Sequence, residues 1–134
     1  MTSVVADTHA LVWYIIQPNR LSNAAALALD NAIGAGNPIY LSAISIVEIC
    51  YLTERGRLPE TVLQRLIETM ALPNAPVVTM ALDSAIALAI QQIDRTTVPE
   101  MPDRIIAATA LHLNLPLVTR DQRIQALKTL TTVW

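Results

Sequence analysis

A lone cysteine, Cys50, leaves this 134-residue chain unable to close an internal disulfide or build a cysteine-based zinc cluster. Set in an apolar helical pattern, it reads as a core thiol and not as a nucleophile. Hydrophobic residues make up 53% of the chain, yet no apolar run approaches the roughly 18 residues that a membrane span needs. The N-terminal MTSVVAD lacks the basic and apolar regions of a secretory signal, so the expected location is cytoplasmic, with no membrane partner. There is no linker, repeat or low-complexity stretch, and residues 1–134 read as one domain. Positive charge is also scarce: the net charge is −2, without the basic excess common in nucleic-acid binders. Lysine is nearly absent too, for of nine basic residues only Lys128 is a lysine. The arginines that remain have the planar fork that grips phosphate in two places, so the surface could be basic locally while acidic overall.

What is present is an alternation of short β-branched runs and longer helical stretches. SVVAD, PIYLS, APVVT and LPLVT have strand character, and TLTTVW is either a further strand or an irregular tail. Between them, Ser22 is placed to cap NAAALALDNAI and Asp83 to cap SAIALAIQQI. Pro59 opens PETVLQRLIETM, and Pro102 stands in the first turn of a helix that Asn114 and Pro116 end. This alternation predicts an α/β fold whose parallel sheet is covered by helices on both faces.

Against that apolar background stand four carboxylates: Asp7 after VVA, Glu48 inside SAISIVEICYL, Asp103 in MPDRIIAATAL and Asp121 in LPLVTRDQRI. A desolvated carboxylate loses several kcal/mol of hydration, roughly, unless it is paired or bound to metal. Each acid also has an ordinary structural role to be weighed. Asp121 suits the N-cap of QRIQALK, Asp103 complements a helix dipole, and Asp7 could cap the helix from Thr8. Glu48 has no such role, because it interrupts an apolar helix interior. In parallel sheets ligands bind at the carboxyl ends of strands, near which Asp7, Glu48 and Asp121 fall, while Asp103 reaches inward from a helix N-terminus. Such a cluster suits Mg²⁺, whose octahedron phosphate oxygens can complete. His9 and His112 read as structural, Trp13 and Tyr14 as core residues ahead of stacking on a base, and Arg104 as support for the fold or a partner of a nearby acid, with phosphate contact second.

DTHALVW, the Ser45 to Glu48 spacing, PDRIIAATAL and LVTRD, together with RLS, GRL and the last tryptophan, resemble PIN-domain ribonucleases, and VapC toxins in particular. The resemblance implies a three-layer α/β/α domain around a mainly parallel sheet of four to five strands. It implies an endoribonuclease whose acids bind Mg²⁺ or Mn²⁺. Asp7, Glu48 and Asp103 match its principal acids and Asp121 the more variable fourth. Thr119 would hydrogen-bond a ligand or its neighbour, and Glu100 falls where relatives carry another acid. An antitoxin that blocks the site, and a homodimer, are further implications. Two rivals differ in class: a receiver-like signalling domain, which lacks its paired acids and late lysine here, and a PIN-fold RNA-binding or partner-binding module without catalysis.

Overall fold

The computed structural model describes residues 2–134. Five strands form one sheet in the order β3-β2-β1-β4-β5: β1 is Val4–Ala6, β2 Ile39–Ser42, β3 Val77–Met80, β4 Leu117–Val118 and β5 Thr132–Val133. Every pairing is parallel, with Val5 opposite both Tyr40 and Leu117, so the expected mainly parallel sheet is wholly so. TLTTVW does supply the fifth strand.

Period-2 alternation then divides the core. Val4 and Ala6 of β1, Ile39 and Leu41 of β2 and Val118 of β4 face one cluster, while Val5 and Leu117 face the other. Helices α1 (Thr8–Ile16), α2 (Asn23–Gly34) and α4 (Glu60–Ala71) bury Leu11, Leu29 and Leu66 in the first cluster. The second holds Ile86 of α5 (Ser84–Ala89), Ile106 of α6 (Met101–Leu113) and Ile124 of α7 (Gln122–Gln125). Helix α3 (Ala43–Glu54) sends Ile49 into the first cluster and rests Ile44 against the second. Three layers result.

The caps fall where the sequence puts them. Ser22 Oγ accepts from Ala25 N at 3.0 Å, and Asp83 Oδ1 from Ile86 N at 3.0 Å. Asn114 ends α6 in the left-handed region, at φ 54°, a conformation that asparagine tolerates better than most residues. Two expectations need adjustment. QRIQALK is helical only over Gln122–Gln125, because the chain turns at Leu127, whose N–H meets Ile124 O at 3.0 Å, to reach β5. Cys50 is only partly buried, since it lies on the flank of α3 beside the buried Ile49.

Helix α6 positions the site from below. Residues 105–110 are buried on every side, and the small side chains of Ala107, Ala108 and Ala110 let the helix approach the sheet closely. Its first turn, with Asp103, therefore lies beside the carboxyl ends of β1 and β2. Strand order reverses between β1 and β4, where a parallel sheet leaves a crevice.

Candidate active site

Asp7 follows β1 at the centre of the sheet and is 3% exposed. Its Oδ1 accepts from Thr8 N at 2.8 Å, which caps α1, and its Oδ2 accepts from Thr119 Oγ1 at 2.6 Å. The capping role is real, but each oxygen keeps a lone pair for a further partner. Thr119, fully buried just after β4, also accepts from Asp121 N at 3.0 Å. One hydroxyl thus ties together the segments that carry two of the acids.

Thr8 makes the corresponding link to α3. Its Oγ1 lies 2.7 Å from Glu48 Oε1 and 2.8 Å from Ser45 Oγ. With one proton to give, it donates to Glu48 when that carboxylate is ionised and accepts from Ser45. The Ser45 to Glu48 spacing has its cause here, since residues three apart on a helix face the same neighbour. Neither Thr8 nor Ser45 had been assigned a role from sequence. Small hydroxyls in a dry context, adjacent to or one turn from an acid, were the available signal.

Asp7, Glu48 and Asp103 line one cavity of about 240 Å³, with Thr8, His9 and Trp13 in its wall. Asp121 is next door. It caps α7 by accepting from Arg123 N at 2.8 Å and Ile124 N at 3.2 Å, and it faces an open recess shared with His9, Trp13 and Arg120. The four acids are therefore arranged as three plus one.

Burial first, and then their mutual repulsion, favour the protonated forms of two of them. Burial, and then the charges of Asp7, Asp121, Glu48 and Glu100, push the Asp103 carboxyl up to about 7. Burial also raises Glu48; the Thr8 hydrogen bond opposes this and Asp7 adds to it. His9 is held below its ordinary value, first by burial. Its Nε2 accepts from Arg120 N at 3.0 Å, which leaves the proton on Nδ1, 3.5 Å from Asp7 Oδ2. A bracing role fits the structural reading of this histidine. Trp13, expected in the core, packs against it from a half-buried position and lines the cavity as well.

The accessory residues separate. Glu100 is exposed at the start of α6, makes no capping hydrogen bond and reaches Asp103 through its charge alone. Arg104 pairs with none of the acids; it donates from Nη2 to Ile90 O and Ile93 O, both at 2.9 Å, and so ties α6 to the turn after α5.

Among the described residues, no three His, Cys, Asp or Glu side chains already stand as a ready-made metal site. The donor chemistry nonetheless fits a hard divalent cation. Three carboxylates share a cavity that no lysine or arginine lines, and one of them, Asp103, is pushed up to about 7 first by burial and then by its acidic neighbours. Asp7 and Asp103 are the residues that would hold the ion, with Glu48 beside them and Asp121 from the adjoining recess.

The chain and its fold have known relatives. Residues 4–130 match the family model of the PIN domain. The chain is 30% identical over 131 residues to Ribonuclease VapC22 of Mycobacterium tuberculosis, covering 94% of this chain and 92% of the relative. Its fold is similar to that in the crystal structure of VapBC2 from Rickettsia felis bound to a promoter DNA fragment. There the TM-score is 0.73 at 17% identity, over 98% of this chain and 97% of that one. A toxin-antitoxin complex from Klebsiella pneumoniae gives a TM-score of 0.64 at 21% identity, over 97% of each chain.

Proposed function

The chain belongs to the PIN domain family, and on that premise we propose that it is a divalent-metal-dependent endoribonuclease, the toxin of a toxin-antitoxin pair. One observation carries the reading: Asp7, Glu48 and Asp103, from three separate segments, meet in one cavity at the carboxyl ends of parallel strands.

When bound, Mg²⁺ or Mn²⁺ supplies Lewis-acid stabilisation of the charge on the phosphate oxygens. The rest is done by the side chains. Thr8 N–H and Thr119 fix the Asp7 carboxylate, so its free lone pairs keep one direction. Thr8 holds Glu48 by Oε1, which leaves Oε2 to take a proton from the attacking water as the phosphorus–oxygen bond to the leaving group breaks. Asp121 orients a second ligand from the neighbouring recess.

The partners follow the same reading. A groove of about 280 Å³, lined by Leu11, Tyr14, Ile15, Ile33, Leu66 and Val77, suits an apolar segment of a cognate antitoxin. Val47 and Tyr51 of α3, Leu88 of α5 and Met101 of α6 are exposed apolar side chains that a second copy would cover in a homodimer. No helix among the described residues is long and apolar enough to cross a membrane; the site of action we propose is the cytoplasm.

The test is incubation of partner-free protein with structured RNAs in Mg²⁺ or Mn²⁺, with EDTA and Asp7→Asn controls, and mapping of the ends. Cuts lost in both controls are expected. Folded, metal-binding protein that leaves every RNA intact would make the chain a binding module.

A further inference from the structure

His9 and Trp13 belong to two recesses at once, the acid cavity and the open one that holds Arg120 and Asp121. Behind them stands the last residue, Trp134, with ring centres 5.9 Å from His9 and 5.8 Å from Trp13; His9 and Trp13 are 5.0 Å apart. Two guanidinium groups approach the Trp13 ring, that of Arg20 at 4.4 Å from its centre and that of Arg120 at 5.7 Å. Packing accounts for part of this, because Trp13 and Trp134 rest against the core.

It does not account for the arginines. Both are exposed, and among the described residues the one ion pair is His9 with Asp7, so neither arginine is paired with the acids nearby. In a chain of net charge −2, His9 and Trp13 line the acidic cavity with Arg120 in the adjoining recess, and Trp134 and the exposed Arg20, whose Nη1 reaches Gln17 Oε1 at 3.5 Å, pack against those two rings. Cations with unspent hydrogen-bond donors attract phosphate, and rings with open edges or faces attract nucleobases.

We infer that His9, Trp13 and Trp134, with Arg20 and Arg120, form a subsite that stacks an unpaired nucleobase of the RNA and grips its phosphates beside the acids. The inference rests on the ribonuclease reading and assigns these residues, which lie outside the acid cluster, to holding an unpaired base next to the scissile bond. Bases in a duplex keep their faces stacked on one another and cannot reach such a platform, whereas a looped-out or single-stranded base can. The arginines then serve as movable covers, each leaving or sharing the indole as the base arrives. They are positioning residues.

Trp13 and Trp134 are the only tryptophans in the chain, so intrinsic tryptophan emission reports on this cluster alone. The full chain carrying Asp7→Asn, in Mg²⁺ so that RNA stays whole, is titrated with end-labelled single-stranded RNA, the same strand with abasic positions, and a blunt duplex. Label anisotropy gives binding. Emission should change in step with anisotropy for the single strand, and the abasic strand and duplex should bind on the order of tenfold more weakly. Arg20→Ala with Arg120→Ala, at exposed positions that leave the fold intact, should weaken binding about tenfold and reduce the slope of log K against log salt by roughly 1.4. Trp134→Phe should retain affinity and Trp134→Ala should lose it. Anisotropy that rises without an emission change, and equally for the abasic strand, overturns the subsite while leaving wild-type cleavage, and so the ribonuclease reading, untouched. No binding of any RNA together with no cleavage by the wild type overturns both.

Discussion

Thr119 Oγ1 donates to Asp7 Oδ2 at 2.6 Å, although 112 residues of chain separate the two. The same oxygen accepts from Asp121 N at 3.0 Å, so a single buried hydroxyl holds one acid by its carboxylate and another by its backbone. Thr119→Val keeps the shape and removes both bonds. It should cost about 1–3 kcal/mol in urea denaturation, because Asp121 N–H and Asp7 are left short of a partner. Mg²⁺ affinity should fall by about tenfold or more, since the carboxylate loses its orientation. Unchanged calorimetric affinity would show that Asp7 needs no such brace.

The metal-free protein should become less stable as pH rises. Asp103 titrates at about 7 in the folded protein against an ordinary 3.8, first because of burial and then because of Asp7, Asp121, Glu48 and Glu100. Between those values the folded state keeps a proton that the unfolded state has lost, so stability falls across that window and levels off above it. Glu48, also raised, adds a contribution of the same sign. Asp103→Asn should flatten the slope and raise the melting temperature in EDTA at pH 8, while abolishing cleavage. His9, held below its ordinary 6.5, contributes with the opposite sign up to that pH, so the comparison with Asp103→Asn decides, and equal slopes in the two proteins would contradict the assignment.

Divalent cation should reverse that penalty. At a Mg²⁺ concentration one hundred times the dissociation constant, binding to the folded state alone adds about 2.7 kcal/mol. The native protein's melting temperature should rise accordingly, and that of an Asp7→Asn, Asp103→Asn double variant should not. Equal responses would place the ion elsewhere.

Asp121 allows its two roles to be separated. Oδ1 alone makes the capping bonds to Arg123 N and Ile124 N, and an asparagine presents the same atom. Asp121→Asn should therefore stay within about 0.5 kcal/mol of the wild type, and Asp121→Ala should lose about 1 kcal/mol. Both should cut RNA at least about tenfold more slowly if the charge matters to the site. Full activity in Asp121→Asn would reduce this residue to a cap.

Local chemistry made much of this legible. The β-branched runs became strands, Ser22 and Asp83 became caps, and Asn114 stopped α6, because each depends on neighbours close in sequence. Glu48 stood out for the same reason, as an acid where a helix offered it no water. What could not be read were relations between distant segments. Thr8 meets Glu48 across 40 residues, and Arg120 N meets His9 across 111. No spacing rule announces such pairs. Helix α7 is shorter than QRIQALK suggests because its helical pattern competes with the need to return to β5, and the sheet wins. Three acids in one cavity and the fourth beside it also depend on the sheet, through the positions of β1 and β4.

The central place of β1 gives the fold an order in time. Asp7 is made early, but β2 begins only at Ile39 and β4 only at Leu117, and Asp103, Thr119 and Asp121 lie in the last third of the chain. Pairing so remote in sequence is slow to form. A growing chain would carry its first acid unassembled until α6 and β4 have joined the sheet, so no RNA is at risk before residues 101–118 have been made. Fragment 1–99 should accordingly leave RNA intact, even at concentrations where the whole chain cuts it; a cutting fragment would show that the enzyme is armed long before it is finished.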